Sequence, residues 1–245
     1  MLLLYHKNNW RCDLELNNIY NIDCLHGLSQ LKDNSIDCIA TDPPYKVTSR
    51  GNSLASGFFN TKETMNGKIF KYNNIKFKDY LPELFRVLKD GGHCYIMVNN
   101  KNLVELLNEA QKVGFHFIKS LIWDKNSKIV GTYYMSQYEY ILFFRKGKGV
   151  KIKNCSSSDL IHIPYRKTKD ANGKNIHNTE KPIELMEYLI LNSTDVGEIV
   201  LDPFSGSGST ALACIKNNRK YIAFEIDYIY YKTSIDRIKL GDYSL

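Results

Sequence analysis

The sequence lacks any long apolar run. Met1 to Leu4 gives way at once to His6 and Lys7, far short of a signal-peptide core, and no later segment approaches a membrane span. This pattern predicts a cytoplasmic protein with no membrane partner. The six cysteines, Cys12, Cys24, Cys38, Cys94, Cys155 and Cys214, form no CxxC pair and have no histidine at ligand-like spacing. That speaks against a zinc site or a disulfide framework and predicts reduced thiols and no metal. No GxxxxGK[ST] phosphate loop is present, which excludes a P-loop kinase or ATPase. Internal repeats and heptads are missing as well.

Acidic residues are scarce in two stretches. Arg145 to Lys181 carries ten Lys and Arg against Asp159, Asp170 and Glu180, so it alone accounts for the formal net charge of +7. Lys46 to Lys78 carries seven basic residues against Glu63, which leaves the rest of the chain net acidic. Two basic segments on such a body form a footprint for a polyanion, or else a solvated lysine-rich surface. Both coincide with polar, non-periodic chain, and loops of that length inside a compact domain are usually lids or binding segments. With 43% hydrophobic residues, the 245-residue chain can bury one substantial core. We therefore expect a single domain over 1–245, with a basic loop insertion at 46–75 and a short target-recognition insertion at 147–178.

Short β-branched and aromatic runs alternate with helical patterns, as in an α/β protein with a mainly parallel sheet. Candidate strands are Ile19 to Ile22, Ile36 to Thr41, His93 to Val98, Phe115 to Trp123, Tyr138 to Arg145, Ile199 to Leu201 and Lys220 to Glu225. Candidate helices are Lys76 to Lys89, closed by Gly91-Gly92, then Asn102 to Val113, closed by Gly114, and Ile183 to Leu191, Ser209 to Asn217 and Tyr228 to Leu240. No good helix separates the strands at Phe115 and Tyr138. They should pair as an antiparallel hairpin at a sheet edge.

Two motifs carry chemistry. Thr41-Asp42-Pro43-Pro44-Tyr45 follows the apolar strand from Ile36; its consecutive prolines fix the backbone, remove two N–H donors and hold the carbonyls outward beside Asp42 and Tyr45. A DPP turn also serves as ordinary punctuation after a strand. Val200 to Thr210 reads as a strand, a turn holding Gly206 and Gly208, and a helix whose N-terminus offers free N–H groups to a ligand. This is not the GxGxxG of dinucleotide enzymes. The next strand ends at Phe224-Glu225-Ile226-Asp227, where an acid holds ribose hydroxyls in folds of this kind.

DPPY followed by DPFSGSG, with His177-Asn178-Thr179-Glu180-Lys181-Pro182 between them, resembles the DNA amino-methyltransferases of N6-adenine type, in the permuted β-class order. The resemblance covers nearly the whole chain. It implies a Rossmann-like S-adenosylmethionine-dependent methyltransferase fold, with a seven-stranded mainly parallel sheet, one antiparallel edge hairpin and strand order 3-2-1-4-5-7-6. Ile36 to Thr41 then becomes strand 4 and Ile199 to Leu201 strand 1, with their C-terminal ends side by side. Asn21-Ile22-Asp23-Cys24 resembles the segment whose acid contacts the cofactor adenine, although Ile22 replaces a frequent glycine. Phe85 to Gly92 resembles the family's helix-to-strand connector, and Ile122 to Lys125 with Glu139-Tyr140 its edge hairpin. HNTEKP departs from the usual HPTxKP but keeps Lys181 and Pro182, which implies that this loop binds the methionine carboxylate.

The resemblance further implies that Asp42, Pro43, Pro44 and Tyr45 are catalytic. It implies that Asp23, Cys24, Asp42, Lys181, Asp202, Pro203, Phe204, Ser205, Gly206, Ser207, Gly208, Glu225 and Ile226 hold S-adenosyl-L-methionine. Candidate DNA contacts are Lys46, Arg50, Lys151, Lys153, Arg166, Lys167 and Lys169. The implied partners are double-stranded DNA, a cognate restriction endonuclease and a second copy of the chain. Cytosine-N4 methylation uses the same chemistry, but the family's cytosine members usually carry Ser at the position of Asp42. Cytosine-C5 methylation needs a nucleophilic cysteine after a proline, and none of the six prolines precedes a cysteine. A catalytically silent nucleic-acid-binding subunit is the remaining alternative, and the intact motifs weigh against it.

Overall fold

The alternation of strand-like and helix-like segments is realised in the computed structural model, which describes residues 14–45, 72, 74–129, 133–165 and 180–241. β1 (Asn18–Tyr20) leads through α1 (Cys24–Gln30) to β2 (Ile36–Thr41). Next come α2 (Phe77–Val87), β3 (Leu88–Val98), α3 (Leu103–Val113), β4 (His116–Ile129) and β5 (Ser136–Arg145). β6 (Leu160–His162), α4 (Ile183–Leu191), β7 (Ile199–Asp202), α5 (Ser209–Lys216), β8 (Lys220–Phe224) and α6 (Tyr228–Leu240) complete the order.

Among the described residues the strands form one sheet in the order β1-β8-β7-β2-β3-β5-β4-β6. Every pairing is parallel except those of β5 with β3 and β4. This is the expected order with two corrections. The sheet has eight strands and not seven, and the hairpin of β4 and β5 lies one strand in from the edge. β6 covers that edge, with Ile122 opposite Leu160 and Asp124 opposite His162. Only one of its three side chains, Ile161, is buried, so the strand carries almost no periodic signal. The run 147–165 is accordingly not a free loop. Trp123 donates its indole N–H to the Ile163 carbonyl (2.8 Å), and the backbone N–H of Lys153 reaches the Asn192 carbonyl (2.8 Å).

The central strand β2 is buried on both faces because helices cover the sheet on both sides. Ile39 faces α1, α2 and α3 with Leu28, Leu81, Leu84 and Leu106, while Cys38 and Ala40 face α4 and α5 with Leu185, Leu189 and Leu212. The buried positions of α2, Phe77, Tyr80, Leu81, Leu84 and Val87, repeat at helical spacing. Its Arg86 donates to the carbonyls of Leu28 (2.7 Å) and Leu31 (2.8 Å), satisfying the C-terminal end of α1. α2 stops at Val87, short of Gly91-Gly92, and passes directly into β3. Gly91 instead serves the strand: its φ of 80° lets its N–H reach the Lys146 carbonyl (2.8 Å) where the β2–β3 register shifts.

Candidate active site

The chain leaves β2 toward the α1–α3 layer and leaves β7 toward the α4–α5 layer. These strands are neighbours, with Cys38 opposite Val200 and Ile39 opposite Leu201, so their carboxyl ends form a topological switch point. A cleft of about 660 Å³ opens there. Asp42, Pro43, Pro44 and Tyr45 line it from β2, Asp202 to Ser207 from β7, Glu225 and Ile226 from β8, and Asp23 and Cys24 from the turn after β1.

Asp202 pins the two halves together. Thr41 Oγ1 donates to one of its oxygens (2.7 Å) and Thr210 Oγ1 to the other (2.7 Å), while the Phe204 N–H adds a third bond (3.1 Å). Burial pushes its carboxyl up to about 6, against these hydrogen bonds. The loop that follows needs glycine at Gly206 (φ 53°) and Gly208 (φ 84°). At Gly208 a Cβ would also meet the Ser234 Cβ of α6 at 2.9 Å. The Gly206 N–H donates to Glu225 Oε2 and the Asp227 N–H to Glu225 Oε1, both at 2.8 Å. Burial nevertheless pushes Glu225 up to about 7. Asp23 caps α1, accepting the N–H groups of Leu25 (2.9 Å) and His26 (3.3 Å). Burial pushes the Cys24 thiol up to about 12, leaving it a neutral wall of the cleft.

Across the cleft stands a cluster of four charges. Lys181 pairs with Asp42 Oδ2 and lies 3.5 Å from Glu139 Oε2, and Lys125 reaches Glu139 Oε1 at 2.5 Å. Burial works to lower Lys181, but Asp42 and Glu139 hold its ammonium well above the ordinary range. Burial likewise works to raise Glu139, which Lys181 and Lys125 keep below the ordinary carboxylate range. Asp42 is pushed up by burial, against the pull of Lys181. Its Oδ1 is buried with no hydrogen-bond partner among the described residues. Burial, with help from Asp42 and Glu139, pushes the Tyr45 hydroxyl up, so the ring stays a neutral phenol.

Sequence reasoning singled out Lys181, but in the structure its ammonium is occupied by Asp42 and Glu139. It did not find Lys125 and Glu139 as a pair, although a glutamate within the aromatic run Tyr138 to Phe144 was a usable signal. Arg237 of α6 gave none. It is buried, donates to the Ser207 carbonyl (2.9 Å) and hydroxyl (3.1 Å), and pairs with Glu180 (2.7 Å).

The candidate DNA contacts separate. Lys151 and Lys153 lie at the opposite end of the sheet, where Lys153 pairs with Asp195 (2.5 Å) just before β7. Lys46, Arg50, Arg166, Lys167 and Lys169 lie outside the described residues, as do His177 to Thr179. Each of the two stretches that hold them borders at least one cleft residue. Tyr45 and Tyr72 bound the first, while Glu180 and Tyr165, whose N–H reaches the Lys125 carbonyl (3.0 Å), bound the second.

A cleft with an acid at the end of β8, a glycine turn after β7 and two buried hydroxyls that have no partner among the described residues, Ser205 Oγ and Ser209 Oγ, suits a nucleoside joined to a polar amino-acid tail. Fold and cleft together define a Rossmann-like methyltransferase whose cofactor is S-adenosylmethionine. Residues 36–236 match the DNA methylase family of N6 and N4 type, and the chain belongs to that family. The Type II methyltransferase M2.MboI of Moraxella bovis is 28% identical over 235 residues, covering 85% of this chain and 82% of that protein. M.HpaI of Haemophilus parainfluenzae is 30% identical over 240 residues, covering 88% and 72%. Among solved structures, the M1.HpyAVI complex with S-adenosylmethionine superposes with a TM-score of 0.67 at 25% identity, over 89% of this chain and 98% of that one. The cytosine-N4-specific PvuII methyltransferase shares the fold at a TM-score of 0.69 and 19% identity, over 90% and 85%.

Proposed function

We propose that the chain methylates the N6 amine of an adenine turned out of duplex DNA. The carrying observation is Asp42 Oδ1, a buried acceptor with no partner among the described residues, at the switch point and beside Tyr45. The amine is a poor nucleophile because its lone pair is delocalised into the ring. Hydrogen bonds from it to Asp42 Oδ1 and the Pro43 carbonyl draw the nitrogen toward tetrahedral geometry and localise that pair. Placement and electrostatics do the work. Tyr45, a neutral ring, stacks on the extruded base and offsets part of the few kcal/mol that flipping costs. Transfer leaves a surplus proton on the amine, and Asp42 Oδ1 is placed to receive it.

S-adenosylmethionine, when bound, supplies a methyl group activated by the positive charge on its sulfur. Glu225 suits its ribose hydroxyls, Cys24 and Ile226 its adenine, and Ser205 and Ser209 its polar tail. Lys181 acts through Asp42, fixing Oδ2 so that Oδ1 faces the base. The likeness to Type II relatives supports duplex DNA as substrate, a restriction–modification setting with a companion endonuclease, and residence in the cytoplasm. The test is digestion of DNA exposed to the protein and labelled cofactor, followed by mass spectrometry of the nucleosides. N6-methyladenine is expected. N4-methylcytosine as the sole product would overturn the reading while leaving the family intact.

A further inference from the structure

β4 and β5 do not end level with the cleft. Thr41 lies opposite Ile96, Ile96 opposite Leu142, and Leu142 opposite Ser120, which sets the height of the β2 carboxyl end across the sheet. The hairpin continues past that height to the pair of Ile129 with Ser136. Its register slips between Asp124 and Ile129. There Asn126 adopts a φ of 51°, and Asp124 Oδ1 collects the Asn126 N–H (2.9 Å) and the Gln137 amide (3.0 Å). Such a bulge re-aims a hairpin. Ser136, Tyr138 and Tyr140 line the cleft, so the arm rises from its rim.

At the end of this arm Tyr133 is 92% exposed, Tyr134 99% and Met135 55%. Large apolar groups held into water beside a binding cleft mark a contact surface. Positions 126–138, the outer part of the arm, contain Lys128 and no Asp or Glu, while Asp124 and Glu139 nearer its base are paired with His162 and Lys125. Continuity with the base cleft and this charge pattern both favour DNA as the occupant. Drawing a base out of a duplex leaves a gap between two unstacked neighbours, and planar or apolar side chains fill such gaps.

The geometry points to Tyr133 and Tyr134, just ahead of β5, as the wedge that enters the duplex and takes the space of the base held at Asp42 and Tyr45. The inference rests on the flipped-base reading above. A phenol ring stacks on any base, so the wedge opens the helix without reading its sequence.

The test uses unmethylated plasmid DNA and labelled S-adenosylmethionine with the full chain, the double variant Tyr133→Ala/Tyr134→Ala and the single variant Tyr134→Trp. Methyl transfer by the double variant should fall roughly ten- to a hundredfold, the range that loss of base stacking implies, with cofactor affinity unchanged. Tyr134→Trp adds a fluorophore at the wedge, and its emission should be quenched and shielded from acrylamide when the plasmid binds. Undiminished turnover in the double variant overturns the proposal. So does emission from Tyr134→Trp that does not move while DNA is bound by anisotropy. Undiminished turnover accompanied by dissociation of a dimer in size exclusion assigns the tip to a second copy of the chain. If the unaltered chain transfers no methyl group to DNA, the flipped-base reading fails, while the fluorescence arm still decides the wedge.

Discussion

At Asp42 the two carboxylate oxygens have different surroundings, Oδ2 facing Lys181 and Oδ1 buried alone. Asp42→Ala therefore removes the acceptor for the base but little that holds the cofactor. Methyl transfer should be lost while affinity for the cofactor product, followed by calorimetric titration, stays within a few-fold; loss of both in a folded variant would reassign the residue. Glu225 carries the opposite expectation. Its carboxyl sits at about 7, and only the ionised form is a full acceptor for two hydroxyls. Cofactor affinity should rise from pH 6 to pH 8, and Glu225→Gln should flatten that rise. Both residues were legible because they stand at strand ends inside recognisable motifs. Lys125 and Arg237 were not, and Glu139 showed only as an acid within an aromatic run, since a charge network exists only once β4, β5, α6 and the Lys181 loop are packed together.

Among the elements, the helices were read almost to the residue, because 3.6-residue spacing and end residues such as Gly114 (φ 111°) fix their limits locally. α1 escaped notice, being seven residues long, and β6 is three. The capping role of Asp23 bears on its substitution. Asp23→Ala should cost about 1 kcal/mol of stability through the lost cap, measured by denaturant midpoint, in addition to any loss of cofactor affinity; Asp23→Ser should restore stability alone. The displacement of Lys151 and Lys153 to the far end of the sheet divides the basic segment in two. Lys151→Ala/Lys153→Ala should leave the salt dependence of DNA binding unchanged. Arg166→Ala/Lys167→Ala/Lys169→Ala, in the stretch flanked by cleft residues, should reduce the log–log slope by about 0.9 for each phosphate no longer neutralised. Equal effects from both sets would restore the whole run 147–178 as one DNA-binding insertion.

For the whole molecule, strand order followed from the family resemblance, which sets the DPPY strand beside the DPFSGSG strand, as β2 and β7 are. The eighth strand did not, because pairing of three residues at an edge depends on what β4 leaves open and not on their own pattern. The stability of the assembled sheet carries a signature of its cleft. Asp202 at about 6 and Glu225 at about 7 lie above their ordinary values of 3.8 and 4.5. Carboxyls raised by folding stabilise it in their protonated form, so their contribution is complete below about pH 4 and is lost as pH climbs through 6 and 7. Glu225→Gln should accordingly gain Tm relative to the unaltered chain as pH rises from 5 to 8 in the absence of cofactor. A difference that does not vary with pH would place Glu225 among ordinary surface acids.

The hydrogen bond from Thr41 to Asp202 joins residues 161 apart in the chain. During synthesis the DPPY turn is therefore finished long before the strand it must lie against has been made. Contacts that span so much chain are slow to form, and they cannot form at all on an incomplete polypeptide. A product that ends before Lys220 holds the base-binding residues but lacks both β8 and Glu225, the strand and acid that close the cofactor cleft. With the motifs in this order, the ribosome must pass both the DPFSGSG loop and Glu225 before any molecule is able to mark DNA, so a translation abandoned ahead of that point leaves no active fragment behind.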